Sequence, residues 1–237
     1  MKNNMLIQQD MRQAVLSALV ANDLDAIERL ALRGRIVLSV LVRLAYDKET
    51  IVGWRAIAAT GRVASVFIRN NGEFLRETVR KLLWSLTDES GGIGWSAPEL
   101  LGEIVSAGPE EFSDVIPIIA GVFSIEEDVF RPGILYAFKR IAEGRPDMIS
   151  PYQDIILRGL SESSPEARIH ALDLIRTLGE RIDPAKLKAI ASKVRNMVQD
   201  RAEAWLYKKD GFVNIEVGSV AQEVNKYFKD KFGLQYN

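Results

Sequence analysis

The chain has 237 residues, 47% hydrophobic and 27% charged, an ordinary globular composition with enough length for a sizeable core. It contains no cysteine, which excludes disulfides, thiolate chemistry and cysteine-based metal sites. The net charge of −1 hides an uneven distribution: residues 1–80 carry 12 basic and 8 acidic side chains, residues 81–180 carry 8 and 17, and residues 181–237 carry 11 and 7. Between Leu82 and Phe130 there is no Lys or Arg, against ten carboxylates. Such an asymmetry points to a partner of opposite sign.

In chain order, a helix, acidic turn, helix pattern repeats. The segment MRQAVLSALV from Met11 is an acceptable first copy. An apolar helix over Arg35–Tyr46 ends at Asp47, and a second helix follows from Val52. Asn70-Asn71-Gly72 breaks that helix, and Glu73–Leu86 is helical up to a turn at Asp88. Ile93-Gly94-Trp95-Ser96-Ala97 then matches Val52-Gly53-Trp54-Arg55-Ala56, each with a Gly seven residues beyond the Trp. Looser copies start at Val129 and Ala167, after helices over Glu110–Ser124 and Pro151–Leu160. The starts are separated by 41, 36 and 38 residues, near the period of two-helix repeats. Acidic or serine turns before each second helix supply N-caps, as at Ser164-Pro165 and Asp183-Pro184. No apolar run approaches the roughly 18 residues of a membrane span, and the opening MKNNMLIQQDMRQ has no signal-peptide core. A cytoplasmic protein is expected.

These features resemble the HEAT and armadillo-like superhelical repeats, including the HEAT-like units named after phycobilisome lyases. The resemblance rests on turn acids Asp47, Asp88 and Asp128, on aliphatics Val52, Ile93 and Val129, and on Ala56, Ala97 and Ala171. The DESGGIGW block is also similar to one in a group of bacterial HEAT-like proteins. The resemblance implies an all-α, right-handed α-α superhelix, a HEAT-like solenoid of about five helix pairs, over residues 1–198. Where the family pattern puts an arginine after the aliphatic, this chain has Gly53, Gly94 and Phe130; only Arg12 and Arg168 fit. The usual ladder from arginine to turn acid is therefore incomplete. Residues 199–237 depart from the pattern: Asp210-Gly211 between apolar residues suggests a tight turn or small hairpin, and a last helix runs from about Ser219 to Phe232, ending at Gly233. This tail is expected to be a modified repeat capping the same domain.

Candidate contacts follow from the turns. Asp88, Glu89, Gly91, Gly92, Gly94, Trp95 and Glu99 form an acidic, glycine-rich approach to a helix start. It serves either as a structural turn or as a contact for a partner or ligand. Trp54 and Trp95 occupy equivalent repeat positions, with Trp84 nearby, and form either a stacking shelf or buried packing between repeats. Arg55, Arg62, Arg69 and Arg76 recur every seven residues, with Arg80 close behind, as a phosphate-binding ridge or as a solvated face pairing with Glu73 and Glu77. Glu110, Glu111, Asp114 and the acids at 126–128 lack the alternate-position spacing of a calcium loop. His170, the only histidine, has no nucleophile motif beside it, so no catalytic residue, metal or cofactor is expected. The expected function is a non-catalytic protein-interaction scaffold or adaptor for a basic protein partner, with no membrane and no nucleic acid. Two alternatives stand: nucleic-acid binding through the arginine ridge, and a HEAT-like enzyme or enzyme subunit of lyase or glycosylase type, which the resemblance permits.

Overall fold

A computed structural model describes residues 2–86, 95–125, 128–209 and 211–233. Among the described residues the chain is helical apart from one hairpin and the connecting turns, and it forms two compact units, Met1–Val115 and Ile116–Asn237.

The first unit contains α1 (Lys2–Val20), α2 (Leu24–Arg33), α3 (Ile36–Leu44), α4 (Ile51–Asn70), α5 (Gly72–Ser85) and α6 (Ala97–Ala107). Asp23 caps α2 by accepting the Ala26 N–H at 2.8 Å, and Thr50 caps α4 by accepting the Gly53 N–H at 3.1 Å. Helix α4 is the axis of the unit and packs against α2, α3 and α6. Trp54, Ala56, Ile57, Ala59, Val63, Ala64, Val66 and Phe67 are all buried, so α4 has apolar side chains around most of its girth. By length and composition α4 is apolar enough to cross a membrane, a property not evident in a sequence with Arg55, Arg62 and Arg69 interleaved. Burial within the unit accounts for its composition.

One close approach fixes the α3–α4 turn. A Cβ at Gly53 would lie 1.9 Å from the Asp47 carbonyl oxygen, so the first turn of α4 sits directly on that peptide. The family pattern's arginine has no room there: position 53 faces backbone.

After α6, the helix expected from Glu110 begins only at Val115. Arg76 holds the preceding residues as turns. Its guanidinium donates to both Asp114 carboxylate oxygens at 2.9 Å and to the Glu111 carbonyl, and lies 4.4 Å from the centre of the buried Phe112 ring. These contacts satisfy the acceptors without a helical turn.

The second unit contains α7 (Val115–Ile125), α8 (Arg131–Gly144), α9 (Pro146–Ile149), α10 (Gln153–Gly159), α11 (Pro165–Leu178), α12 (Pro184–Asn196), β1 (Glu203–Lys208), β2 (Gly211–Glu216) and α13 (Val217–Phe232). Ser164 and Asp183 cap α11 and α12, accepting from Ala167 at 3.3 Å and Ala185 at 2.9 Å. The core pair is α8 and α11, with Ile134, Leu135, Phe138 and Ile141 meeting Ile169, Leu172 and Ile175 in an interior with no exposed member. Gln153 is buried and used on both sides of its amide: it donates to the Arg181 carbonyl at 2.8 Å and accepts from Asp183 N–H at 2.9 Å.

The tail forms the expected hairpin, with its turn one residue early. Lys208 pairs with Gly211 and Trp205 with Asn214, so Gly211 belongs to β2. Lys209 adopts φ 55° in the two-residue connection. The connection therefore begins at a lysine in the left-handed region rather than at Asp210-Gly211. Helix α13 ends at Gly233, φ 60°, as its sequence predicts.

Candidate functional site

Buried polar side chains gather in the first unit: Thr60, Ser85, Ser96, Glu99 and Glu103 there, Gln153 and His170 in the second. Three of them, Ser96, Glu99 and Glu103, lie just before α6 or on it. Ser96 precedes α6 and donates its hydroxyl to the Ala45 carbonyl, at the end of α3. Glu99, in the first turn of α6, accepts from Lys48 Nζ at 2.9 Å. A carboxylate in this turn is also favoured by the helix dipole. Two polar contacts thus fasten α6 to the α3–α4 turn.

Glu99, expected on a partner-facing surface, is instead 0% exposed. Its Oε2 is buried with no hydrogen-bond partner among the described residues. One turn on, Glu103 is buried too, and its carboxylate lies over α4: a Cβ at Gly61 would be 2.7 Å from Glu103 Oε2. Glycine at 61 leaves the space this carboxylate fills. A general acid or base must reach its substrate, and these two groups do not reach solvent. Of the two, Glu99 forms a buried ion pair with Lys48 that fastens α6 to the α3–α4 turn.

The arginines expected as a ridge are used inside the unit. Arg55 Nη1 donates to the Leu19 and Val20 carbonyls at 2.9 and 2.8 Å, satisfying the C-terminal end of α1. Arg62 lies 3.8 Å from Glu28 on α2, and Arg76 holds Asp114. Of the acids expected to pair with this face, Glu73 pairs with Arg80 at 2.9 Å and Glu77 with Lys81 at 2.7 Å. Sequence reasoning gave these arginines phosphates or nearby carboxylates as partners and missed that Arg55 serves the backbone carbonyls at the end of α1. The same device recurs in the second unit. Arg158 donates to Ser124 Oγ at 2.7 Å and the Phe123 carbonyl at 3.3 Å, and Arg168 to the Glu162 and Ser163 carbonyls at 2.6 and 2.8 Å. The available signal was an arginine within the first turns of α4 and α11, a position from which it overlooks an earlier chain end.

The tryptophans divide. Trp54 is 6% exposed and packs in the core. Trp95 is 52% exposed and Trp84 68%, so the repeat equivalence of 54 and 95 does not give them one environment. The reason is the helix start: Trp54 is inside α4, whereas α6 begins at Ala97, with Pro98 in its first turn, and leaves Trp95 outside. Asp88, Glu89, Gly91, Gly92 and Gly94 lie outside the described residues.

His170 is buried in α11. Its Nε2 is 3.7 Å from Glu166 Oε1 and its ring stands edge-on to Tyr136 at 5.8 Å. Asp173, one turn further, pairs with Lys208 of β1 at 2.8 Å. Burial pushes the Asp173 carboxyl up, but the hydrogen bond and charge of Lys208, joined by Lys139 and His170, outweigh it and hold the group below its usual range. Among the described residues, no group of three or more His, Asp or Glu side chains is placed to hold a metal ion.

The solved structure of the archaeal HEAT-like repeats protein from Thermococcus onnurineus NA1 is similar to this chain. The likeness covers 94% of this chain and 97% of that one, at 14% identity and a TM-score of 0.39. No family model matches the sequence, and no curated protein matches it.

Proposed function

We propose that the protein is a non-catalytic adaptor that binds a basic segment of another protein at the acidic stretch around Trp84 and Trp95. The observation that carries this is the exposure of both indoles, at the end of α5 and just before α6. Large exposed aromatics are unusual on a folded surface and are enriched where partners dock. Here they border Asp88 and Glu89 in a sequence window without a single Lys or Arg. Indole faces and carboxylates together suit arginine and lysine side chains, through cation–π contact and charge. The internal engagement of Arg55, Arg62 and Arg76 favours this over binding nucleic acid through an arginine ridge. The burial of Glu99 and Glu103 favours it over an enzyme working through those carboxylates. The cytoplasm is the compartment that goes with such an adaptor.

The test uses affinity capture at low salt with the wild-type chain, a Trp84→Ala/Trp95→Ala variant and an Asp88→Lys/Glu89→Lys variant. A partner with a basic segment, held by the wild type, lost by both variants and released by salt, is the expected result. Capture insensitive to both variants removes the proposal.

A further inference from the structure

None of the contacts described so far occupies the groove between α1 and α3. It encloses about 470 Å³, within the usual size of small-molecule sites. Arg12 of α1 and Arg43 of α3 both line it, with Gln9 and Ser39 beside them and Ile36 and Val40 as apolar wall. Among the described residues no carboxylate lines it. Elsewhere in this unit Arg29, Arg62 and Arg80 each have an acid, at 3.7, 3.8 and 2.9 Å, whereas Arg33, Arg35 and Arg69, also exposed, stand outside this groove with no ion pair among the described residues. Among the described residues, Arg12 and Arg43 have none. Arg12 was one of only two arginines to fit the family's ladder position, and it does not reach a turn acid.

Two guanidiniums lining one concave surface repel each other, and an oxyanion between them turns that repulsion into attraction. The planar fork of arginine matches the two oxygens of a carboxylate or phosphate. Gln9 and Ser39 add neutral donors of the kind that orient a ligand. The apolar wall suits an organic body better than a bare inorganic ion. We infer that the α1–α3 groove binds a small organic oxyanion, its phosphate or carboxylate head between Arg12 and Arg43 and its apolar part against Ile36 and Val40. This site is separate from the tryptophan-bordered face, and neither depends on the other.

The probe is phenyl phosphate, titrated calorimetrically into the full chain at low salt, with benzoate as a carboxylate and benzyl alcohol as a neutral match. Saturable binding of either anion is expected, with Arg12→Gln and Arg43→Gln each weakening it about tenfold or more. Arg33→Gln, on α2 and outside the groove, should leave it unchanged. All three positions are exposed, and a far-UV melt checks that each variant folds. No saturation up to about 10 mM overturns the inference, as does equal binding by the variants or by benzyl alcohol. Vesicles of phosphatidylcholine and phosphatidic acid separate two sources of the same head group. Sedimentation lost in both groove variants assigns the site to a lipid surface. Phenyl phosphate binding without sedimentation assigns it to a soluble anion.

Discussion

The two units are each built around one dominant helix pair, and the pairs keep their interiors differently. Helices α8 and α11 meet through Leu, Ile, Phe and Ala, with His170 as the one buried titratable group between them. Helices α4 and α6 meet around glycine and two buried carboxylates, Glu99 and Glu103. An apolar interface is stabilised by area and tolerates exchange of one hydrocarbon for another. A charged one depends on each partner staying in place, because a stranded carboxylate loses its hydration without compensation. The first unit is therefore more sensitive to single substitutions, and the second to loss of volume.

That contrast is most exposed at Lys48. Lys48→Met leaves Glu99 buried without its cation, and we expect a loss of about 3 kcal/mol in urea unfolding followed by circular dichroism. Replacing Glu99 by Met as well should restore most of the loss, since a hydrophobic pair of similar volume fits such a site. If the double variant is no better than the single one, the ion pair is not what the interface depends on.

Next come the glycines. Gly53→Ala drives a methyl into the Asp47 carbonyl and should cost about 2 kcal/mol, even though alanine is the better helix former. Gly159→Ala in the second unit meets only Leu135 and Ala171 side-chain carbons, at 3.0 to 3.1 Å, and should cost about 1 kcal/mol or less. Melting temperatures of the two variants rank backbone obstruction against side-chain crowding, and the reverse order would undo the argument.

The smallest effect concerns the hairpin. The folded-state pKa of Asp173 is lowered, so its pairing with Lys208 stabilises the protein fully above the unfolded carboxylate range near pH ~4. That contribution is lost as pH falls through the lowered folded value. Asp173→Asn should therefore be less stable than wild type by about 1 kcal/mol at pH 7, and the two should converge at acid pH. A difference that persists unchanged at low pH would assign the effect to packing.

The helices and their punctuation were largely legible, because caps and breakers act locally: Asn70-Asn71-Gly72, Ser164-Pro165, Asp183-Pro184 and Gly233 stand where α4, α5, α11, α12 and α13 begin or end. What escaped was set by distance across the fold. The repeat alignment gave Trp54 and Trp95 the same register, yet Pro98 delays the start of α6 and puts one indole inside and the other out. Glu99 looked like a surface acid because its sequence neighbours are acidic. Its burial depends on Lys48, 51 residues away, which periodicity does not reveal. Gly53 looked like a defect in an arginine ladder and is a position where the chain allows no side chain.

The unequal exposure of the four tryptophans also decides what light reports about this molecule. Trp54 is the buried indole of the first unit, and its emission moves to longer wavelength when α4 loses its packing. Trp205, the single indole of the second unit, is 68% exposed while folded and has little further to shift. A fluorescence melt is thus a record of the first unit, in which unfolding of the second leaves almost no trace. A helical signal recorded alongside would separate the two.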